Sequence, residues 1–202
     1  MLKPQCLGAL CSKKRSSADT SAFSQTSASR RLLSRITAYP ALGLSSGKLM
    51  AGAVTVKCLF GRAGRRRLKR EGDGATPIAS MRILFGFFRS DRVRRPYAHI
   101  SFRAISRQDG WSDDPCSPNY NHFIRRPEPT RYERLERSDR LYDIVLVLDY
   151  NAAPRIRGFG SAIFCHLSEP DRPTAGCIAI SEADMRRLLP RLSRRTRLIV
   201  AQ

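Results

Sequence analysis

The sequence predicts a mainly β domain with one C-terminal helix, and three observations support this fold class. From residue 34 onward, short apolar runs alternate with turn residues, which is typical of strands. The run 143–149 (DIVLVLD) is rich in β-branched residues and leucine, as in a buried central strand. Near the C-terminus, a capping signal precedes a stretch with helical spacing of its apolar residues.

The strands are predicted from apolar runs that end at glycine, proline or polar turn residues. Each run is four to eight residues long, which is the usual length of a strand. The predicted strands are 53–60, 81–88, 143–149, 160–167, 176–180 and 197–200.

The predicted helix covers about residues 182–189. Ser181 stands three positions before Asp184, an arrangement similar to a capping box. Met185, Leu188 and Leu189 share one face of such a helix. Pro190 should end it, because proline lacks the backbone N–H that a helix needs.

Two segments lack hydrophobic periodicity. Residues 1–33 are rich in Ser, Thr, Ala, Lys and Arg, so we expect a disordered, basic N-terminal segment before a domain spanning 34–202. Its composition fits an organelle transit peptide, and a gene start assigned too far upstream would look the same. The segment contains no visible secretory signal. Residues 105–131 predict a long loop, and loops of that length in compact domains usually have a function.

The chain is strongly basic, with 37 Lys and Arg against 17 Asp and Glu in 202 residues. A nucleic-acid-binding protein is therefore one alternative. Aromatic residues suited to stacking on bases are sparse in the basic first 70 residues, which contain only Phe23, Tyr39 and Phe60. We therefore expect no nucleic-acid partner, and no apolar run is long enough for a transmembrane segment.

The six cysteines and three histidines show no paired spacing typical of a zinc site, so no metal is expected. Cys58 and Cys165 lie in apolar runs and are interpreted as core residues. His99 and His122 are interpreted as non-catalytic. Cys177 is different, because it follows the small residues 175–176 at the head of a predicted strand.

His166 lies eleven residues before Cys177, near the end of the preceding predicted strand. If the two strands are neighbours, the imidazole would lie close to the thiol, lower its pKa and generate a nucleophilic thiolate. The backbone N–H groups of Gly176 and Cys177 would then be available to stabilise an oxyanion. From spacing alone, a cysteine and a histidine that simply fill the core are the commoner interpretation.

The residues around this pair resemble a known family. The runs 160–166 (GSAIFCH) and 173–181 (PTAGCIAIS) are similar to the catalytic core of the L,D-transpeptidase (YkuD-like) family of bacterial cell-wall enzymes. The resemblance covers about residues 36–200. Five further blocks match a bacterial branch of the family in order: 69–77 (KREGDGATP), 110–115 (GWSDDP), 119–121 (NYN), 132–135 (YERL) and 141–143 (LYD).

The resemblance implies a β-sandwich-type catalytic domain without a cofactor, in which Cys177 is the nucleophile and His166 is the base. The implied reaction is acyl transfer on peptidoglycan stem peptides through a thioester, giving a 3→3 cross-link or release of D-alanine. It also implies the bacterial cell envelope or periplasm as location. Ala175 replaces a histidine found in better-known members, and Ala179 replaces a later Asn or Arg. A catalytically inactive member of the fold is a further alternative.

Several polar residues are candidates for contacts with the substrate. The candidates are Asn121, Tyr120, Asp113, Ser161 and Thr174, and Ser161 is also a candidate for orienting His166. Trp111 is interpreted as a structural residue of the core. The basic stretch 62–70 is interpreted as a solvated rim.

Overall fold

A computed structural model describes residues 31–125 and 129–202 of the chain. Strands account for 37% of the structure and helices for 6%, which confirms the mainly β fold class with a single short C-terminal helix. Residues 1–30 lie outside the described residues, and the prediction of disorder for 1–33 falls almost entirely on them.

Fourteen strands precede or follow the helix in the described residues. The strands are β1 Arg35–Pro40, β2 Ser46–Ala51, β3 Val54–Leu59, β4 Arg65–Arg66, β5 Thr76–Pro77, β6 Ser80–Phe88, β7 Phe102–Ala104, β8 Gly110–Ser112, β9 Phe123–Ile124, β10 Tyr132–Arg134, β11 Ile144–Leu148, β12 Phe164–Leu167, β13 Ile178–Ile180 and β14 Arg197–Val200. Helix α1 is Glu182–Leu188, and a 3₁₀ turn follows it at Leu189–Arg191.

One nine-stranded sheet forms the body of the domain. Its strand order is β11-β12-β13-β3-β2-β1-β14-β6-β7, and β11 also pairs with β6. This additional pairing joins β11, the first strand of the order, to β6, the last but one, so eight strands form a closed ring and β7 extends from β6. Closure satisfies the backbone groups of β11 on both edges, as expected for a strand that the sequence marks as central.

The strands β11, β12 and β13 are buried on both faces, because their side chains alternate between two apolar clusters. Leu146, Cys165 and Ile178 belong to the main core, which also contains Met185 and Leu188 of α1. The side chains that alternate with them point to the opposite face. There, Val145, Val147, Phe164 and Cys177 belong to a second cluster.

Side chains from residues 105–125 and 129–142 cover this second face. The predicted long loop 105–131 contains β8 and β9, which form a small antiparallel sheet with β10 just after the loop, in the order β10-β8-β9. The lack of hydrophobic periodicity did not reveal this sheet. Trp111 of β8 is buried, and its ring meets the Phe164 ring edge to face at 5.3 Å between centroids. The structural role predicted for Trp111 thus agrees with its position, and the covering layer creates one wall of a cleft.

Most predicted elements agree with the observed ones within two residues at each end. The exception is the predicted strand 160–167, of which only β12 is extended. The backbone φ angles of Gly160 and Ala162 are +97° and +51°, so the chain turns there instead of pairing. The Ser181 hydroxyl accepts the N–H of Asp184 at 3.1 Å and caps α1, as predicted.

Pro190 lies within the 3₁₀ turn, so the helical segment extends slightly further than predicted. The missing N–H of proline is tolerated there because the first residues of a helical turn have no partner for this group. In the described parts of the chain, no helix is long and apolar enough to cross a membrane.

A buried carboxylate stabilises the start of β11. The side chain of Asp143 is completely buried, and its oxygens accept hydrogen bonds from Arg92 at 3.2 Å and Arg140 at 3.0 Å. Its backbone carbonyl also accepts the N–H of Arg89 at 3.0 Å. These bonds connect the residues that follow β6 with the residues just before β11.

We predict that Asp143→Ala lowers the free energy of unfolding by about 3 kcal/mol, because the substitution leaves charged donors without their buried acceptor. Urea denaturation of the full chain measures this change. Glu169→Ala is the matched control, since the Glu169 side chain also pairs with an arginine, Arg172, but both side chains are accessible to solvent, at 36% and 55%. Equal losses for the two variants would contradict a stabilising role for the buried carboxylate.

Candidate active site

The parallel pairing of β12 with β13 brings His166 and Cys177 to one face of the sheet. Cys165 lies opposite Ile178 in the register, and His166 lies opposite Ala179. Cys177 is two residues before Ala179, so its side chain points to the same face as His166. From standard strand dimensions, the two Cα atoms are about 8 Å apart. The predicted neighbouring strands are therefore present, and they pair in parallel.

Both side chains line a cleft of about 430 Å³ on this face. Its lining comes from residues between 62 and 72, between 113 and 142, and between 161 and 179. The charged side chains in the lining are Arg62, Lys69, Glu71, Asp113, Arg131, Glu133, Arg137 and Arg172. A cleft with this lining suits a polar ligand that carries charges of both signs.

The Cys177 thiol is buried and makes two hydrogen bonds to backbone groups. Its sulfur accepts the N–H of Phe164 at 3.3 Å, and its S–H donates to the carbonyl of Ala162 at 3.2 Å. Burial raises the pKa of the thiol to about 12, and the negative charge of Glu133 adds to this effect. The positive charges of Lys69 and Arg137 oppose it.

His166 is held in one tautomer by its own strand. Its Nδ1 lies 2.7 Å from the carbonyl oxygen of Leu167, which can only accept a hydrogen bond. The Nδ1 atom therefore carries the proton of the neutral ring, and Nε2 is the nitrogen that can act as a base. Burial lowers the pKa of the imidazole to about 4, so the ring is neutral at physiological pH.

The resting site therefore contains a neutral thiol and a neutral imidazole. This state differs from the expectation that a nearby histidine would lower the pKa of the thiol. The reason is that the Cys177 sulfur bonds to backbone groups of residues 162 and 164, and burial disfavours both charged forms. The arrangement can support proton transfer from sulfur to Nε2 when a substrate enters, which is general-base activation of a nucleophile.

The structure corrects one part of the expected oxyanion site. The N–H of Gly176 is not available, because it donates to the Thr174 hydroxyl at 3.1 Å. Threonine hydroxyls commonly accept the N–H two residues later in a turn. The N–H of Cys177 makes no hydrogen bond to any other residue that the structure describes. It is the remaining backbone donor for an oxyanion.

Thr174 positions the backbone of Cys177 rather than presenting its hydroxyl to a ligand. Its side chain donates to the Cys177 carbonyl at 2.7 Å, and Thr76 donates to the same carbonyl at 3.1 Å. Gly176 has a φ of +149°, and a Cβ there would lie 3.0 Å from the carbonyl oxygen of Ala75. A glycine is therefore required where this turn passes the 74–76 segment.

Two of the predicted substrate-binding residues have structural roles instead. Asn121 is buried, accepts from Trp111 Nε1 at 2.9 Å and donates to the carbonyls of Tyr150 and Asn151 at 3.1 and 2.8 Å. Tyr120 is 1% exposed, and its hydroxyl donates to Glu71 at 2.6 Å. Neither lines the cleft, because each satisfies its polar groups within the fold.

Asp113 and Ser161 do line the cleft. Asp113 pairs with Arg131 at 3.1 Å, and partial burial raises the pKa of its carboxyl. The Ser161 hydroxyl donates to Glu71 at 2.8 Å, so it bonds to a carboxylate and not to His166. The alternative role of Ser161 in orienting the imidazole is therefore replaced by the contact between His166 and Leu167.

Residues that the sequence did not reveal surround the imidazole. The Tyr142 ring meets the His166 ring at 5.2 Å between centroids, and the guanidinium of Arg137 lies 5.0 Å from the centre of the Tyr142 ring. Arg137 also pairs with Glu133 at 2.9 Å. The sequence shows an aromatic residue just before β11, but this position does not reveal that Tyr142 contacts the His166 ring.

Lys69 departs from the interpretation of residues 62–70 as a solvated rim. Its side chain is 3% exposed, and its Nζ donates to Asp73 at 2.5 Å and to the carbonyl of Arg70 at 2.7 Å. Although burial acts in the opposite direction, these bonds and backbone donors lower the pKa of Asp73. Lys69 is thus a buried support beneath the turn 174–177, since its Cε lies 3.7 Å from a Cβ built on Gly176.

Comparisons with known proteins agree with the motifs at this site. A family model of the L,D-transpeptidase catalytic domain, named YkuD, matches residues 40–200. No curated protein and no solved structure matches the chain. The family match covers most of the chain and includes β12, β13 and the turn between them. The chain belongs to the L,D-transpeptidase (YkuD) catalytic-domain family.

Proposed function

We propose that the protein is a cysteine-dependent L,D-transpeptidase that acts on peptidoglycan stem peptides. The observation that carries this proposal is the placement of Cys177 and His166 on one face of neighbouring strands, in the same cleft. The family match supports this reaction class, and the charged lining of the cleft suits a stem peptide with free amines and carboxylates.

In the first step, Nε2 of His166 accepts the thiol proton as the Cys177 sulfur attacks the carbonyl of the third residue of the stem. The C–S bond forms, and negative charge develops on the carbonyl oxygen, where the N–H of Cys177 can stabilise it. The C–N bond then breaks, and the imidazolium returns the proton to the leaving amine of D-alanine. The products are free D-alanine and a thioester on Cys177.

In the second step, His166 accepts a proton from the acceptor as it attacks the thioester. An amine of a second stem gives a 3→3 cross-link, whereas water gives a shortened stem. In both cases the C–S bond breaks and the proton returns to the sulfur. The proposed site of action is the bacterial cell envelope, as is typical for the family.

We predict that the full chain releases D-alanine from a tetrapeptide stem and that Cys177→Ala abolishes the release, because the sulfur forms the covalent intermediate. Liquid chromatography of the products measures both free D-alanine and cross-linked dimers. Cys165→Ala is the matched control, since Cys165 is buried in the neighbouring strand but faces the opposite side of the sheet. Equal release by wild type and Cys177→Ala would contradict the assigned nucleophile.

We predict that a carbapenem acylates Cys177 and leaves Cys116 unmodified, because selective acylation requires an activated thiol in a shaped site. Intact-mass and peptide mass spectrometry locate the adduct. Cys116 is the internal control, since it is a free and exposed cysteine. Adducts on Cys116 alone would favour a catalytically inactive member of the fold.

We predict a pH profile governed by the buried histidine. Burial lowers the pKa of His166 to about 4, and the base must be unprotonated, so kcat/KM should fall only as the pH decreases through about 4. The rate should stay level between about pH 5 and 9, because the pKa of the thiol is about 12 in the resting protein. Circular dichroism at each pH controls for unfolding, and an acid limb near the usual histidine value of about 6.5 would contradict the neutral resting pair.

A further inference from the structure

The cations of the cleft differ in one respect, which is whether a carboxylate of the chain neutralises them. Four of the five are paired: Lys69 with Asp73 at 2.5 Å, Arg131 with Asp113 at 3.1 Å, Arg137 with Asp139 at 2.7 Å and Arg172 with Glu169 at 2.6 Å. Arg62 has no carboxylate partner among residues 31–125 and 129–202. Its guanidinium is therefore available to an anionic ligand.

The backbone of Arg62 is fixed to the turn that carries the nucleophile. Its N–H donates to the carbonyl of Thr174 at 2.8 Å, and the N–H of Thr174 donates to the carbonyl of Phe60 at 3.0 Å. Thr174 in turn bonds to the carbonyl of Cys177 at 2.7 Å. Two short contacts thus connect the backbone of Arg62 with that of the nucleophile.

The Arg62 side chain also has a defined place. A Cβ built on Gly74 would lie 3.1 Å from Arg62 atoms Cγ, Nε and Cζ, so the side chain runs across this glycine. Gly74 has a φ of +67°, which further favours glycine at this position. The absence of a side chain at Gly74 therefore leaves room for the Arg62 guanidinium, and Arg62 lines the cleft.

We propose that Arg62 binds the terminal carboxylate of the donor peptide and so selects donors that end one residue after the scissile bond. This inference rests on the proposed function. In such a donor, the carboxylate of the leaving D-alanine is separated from the attacked carbonyl by a single residue. A guanidinium can bind a carboxylate through two parallel hydrogen bonds, which provides both affinity and orientation.

The other charges of the cleft favour the same orientation. Glu71 also lines it and pairs with no cation among the described residues, so its negative charge disfavours a carboxylate in its part of the cleft. Arg172 is a weaker candidate, because its guanidinium already bonds to Glu169 at 2.6 Å. Arg62 therefore offers the carboxylate an unneutralised cation next to the Thr174–Cys177 turn.

The test compares a tetrapeptide stem that ends in D-alanine with the same peptide carrying a C-terminal amide. In the full chain, Arg62→Ala should lower kcat/KM for the acid by about 10- to 100-fold and change the value for the amide less than about twofold. Arg62→Lys should recover part of the loss, because it retains the charge without the bidentate geometry. Arg66→Ala is the control, since Arg66 is an exposed arginine of the same segment outside the cleft.

Equal effects of Arg62→Ala on the acid and the amide, or no effect on either, would overturn the assignment of Arg62. Turnover by the wild type in the same experiment would still uphold the proposed function. Absence of turnover by the wild type would instead overturn the proposed function. In that case, calorimetric titration of Cys177→Ala and of Cys177→Ala with Arg62→Ala decides the assignment. Tighter binding of the acid than of the amide, lost with Arg62, supports it, and equal or undetectable binding of both peptides overturns it.

Discussion

The parallel register between β12 and β13 is the constraint on which the site depends. It places Phe164, His166, Cys177 and Ala179 on one face and sends the alternate side chains into the main core. Because side chains alternate with a period of two, a slip of one residue would bury the thiol in that core and expose Ile178. The apolar side chains that point into the main core oppose such a slip, so the packing of the sheet also fixes the positions of Cys177 and His166.

The segment 69–77, which supports the turn at Cys177, lies about 100 positions earlier in the sequence. Thr76 accepts the N–H of Gly61 at 2.8 Å and donates to the carbonyl of Cys177 at 3.1 Å. Lys69 lies beneath the same turn and is held by Asp73. The block 69–77 therefore acts as a scaffold for the turn that carries Cys177. Gly61 and Gly176 permit the close approach of this segment, since a Cβ on them would lie 2.2 Å from the carbonyl oxygen of Gly74 and 3.0 Å from that of Ala75. Lys69 and Asp73 neutralise each other inside the fold.

The sequence predicts features that depend on local patterns. Strand β11, helix α1 and the candidate pair Cys177 and His166 follow from alternation, capping and small residues before the cysteine. The roles of Asn121 and Tyr120 do not, because their partners lie about 30 to 50 positions away. Polar residues in a loop suit either a ligand or the backbone, and the folded chain alone shows which group each side chain reaches. The contact of Tyr142 with His166 is hidden for the same reason.

Burial explains why the site is built with neutral groups. A thiolate and an imidazolium at these positions would both lose hydration, and neither has a charged partner at hydrogen-bond distance among the described residues. Lys69 and Arg137 favour a negative sulfur, whereas Glu133 disfavours it, so the fixed charges act in opposite directions. Under the proposed mechanism, charge separation becomes favourable only when a substrate carbonyl receives the electron pair from sulfur. In that mechanism the thiol stays protonated in the absence of a donor and is protected from reaction, since the thiolate is the reactive form.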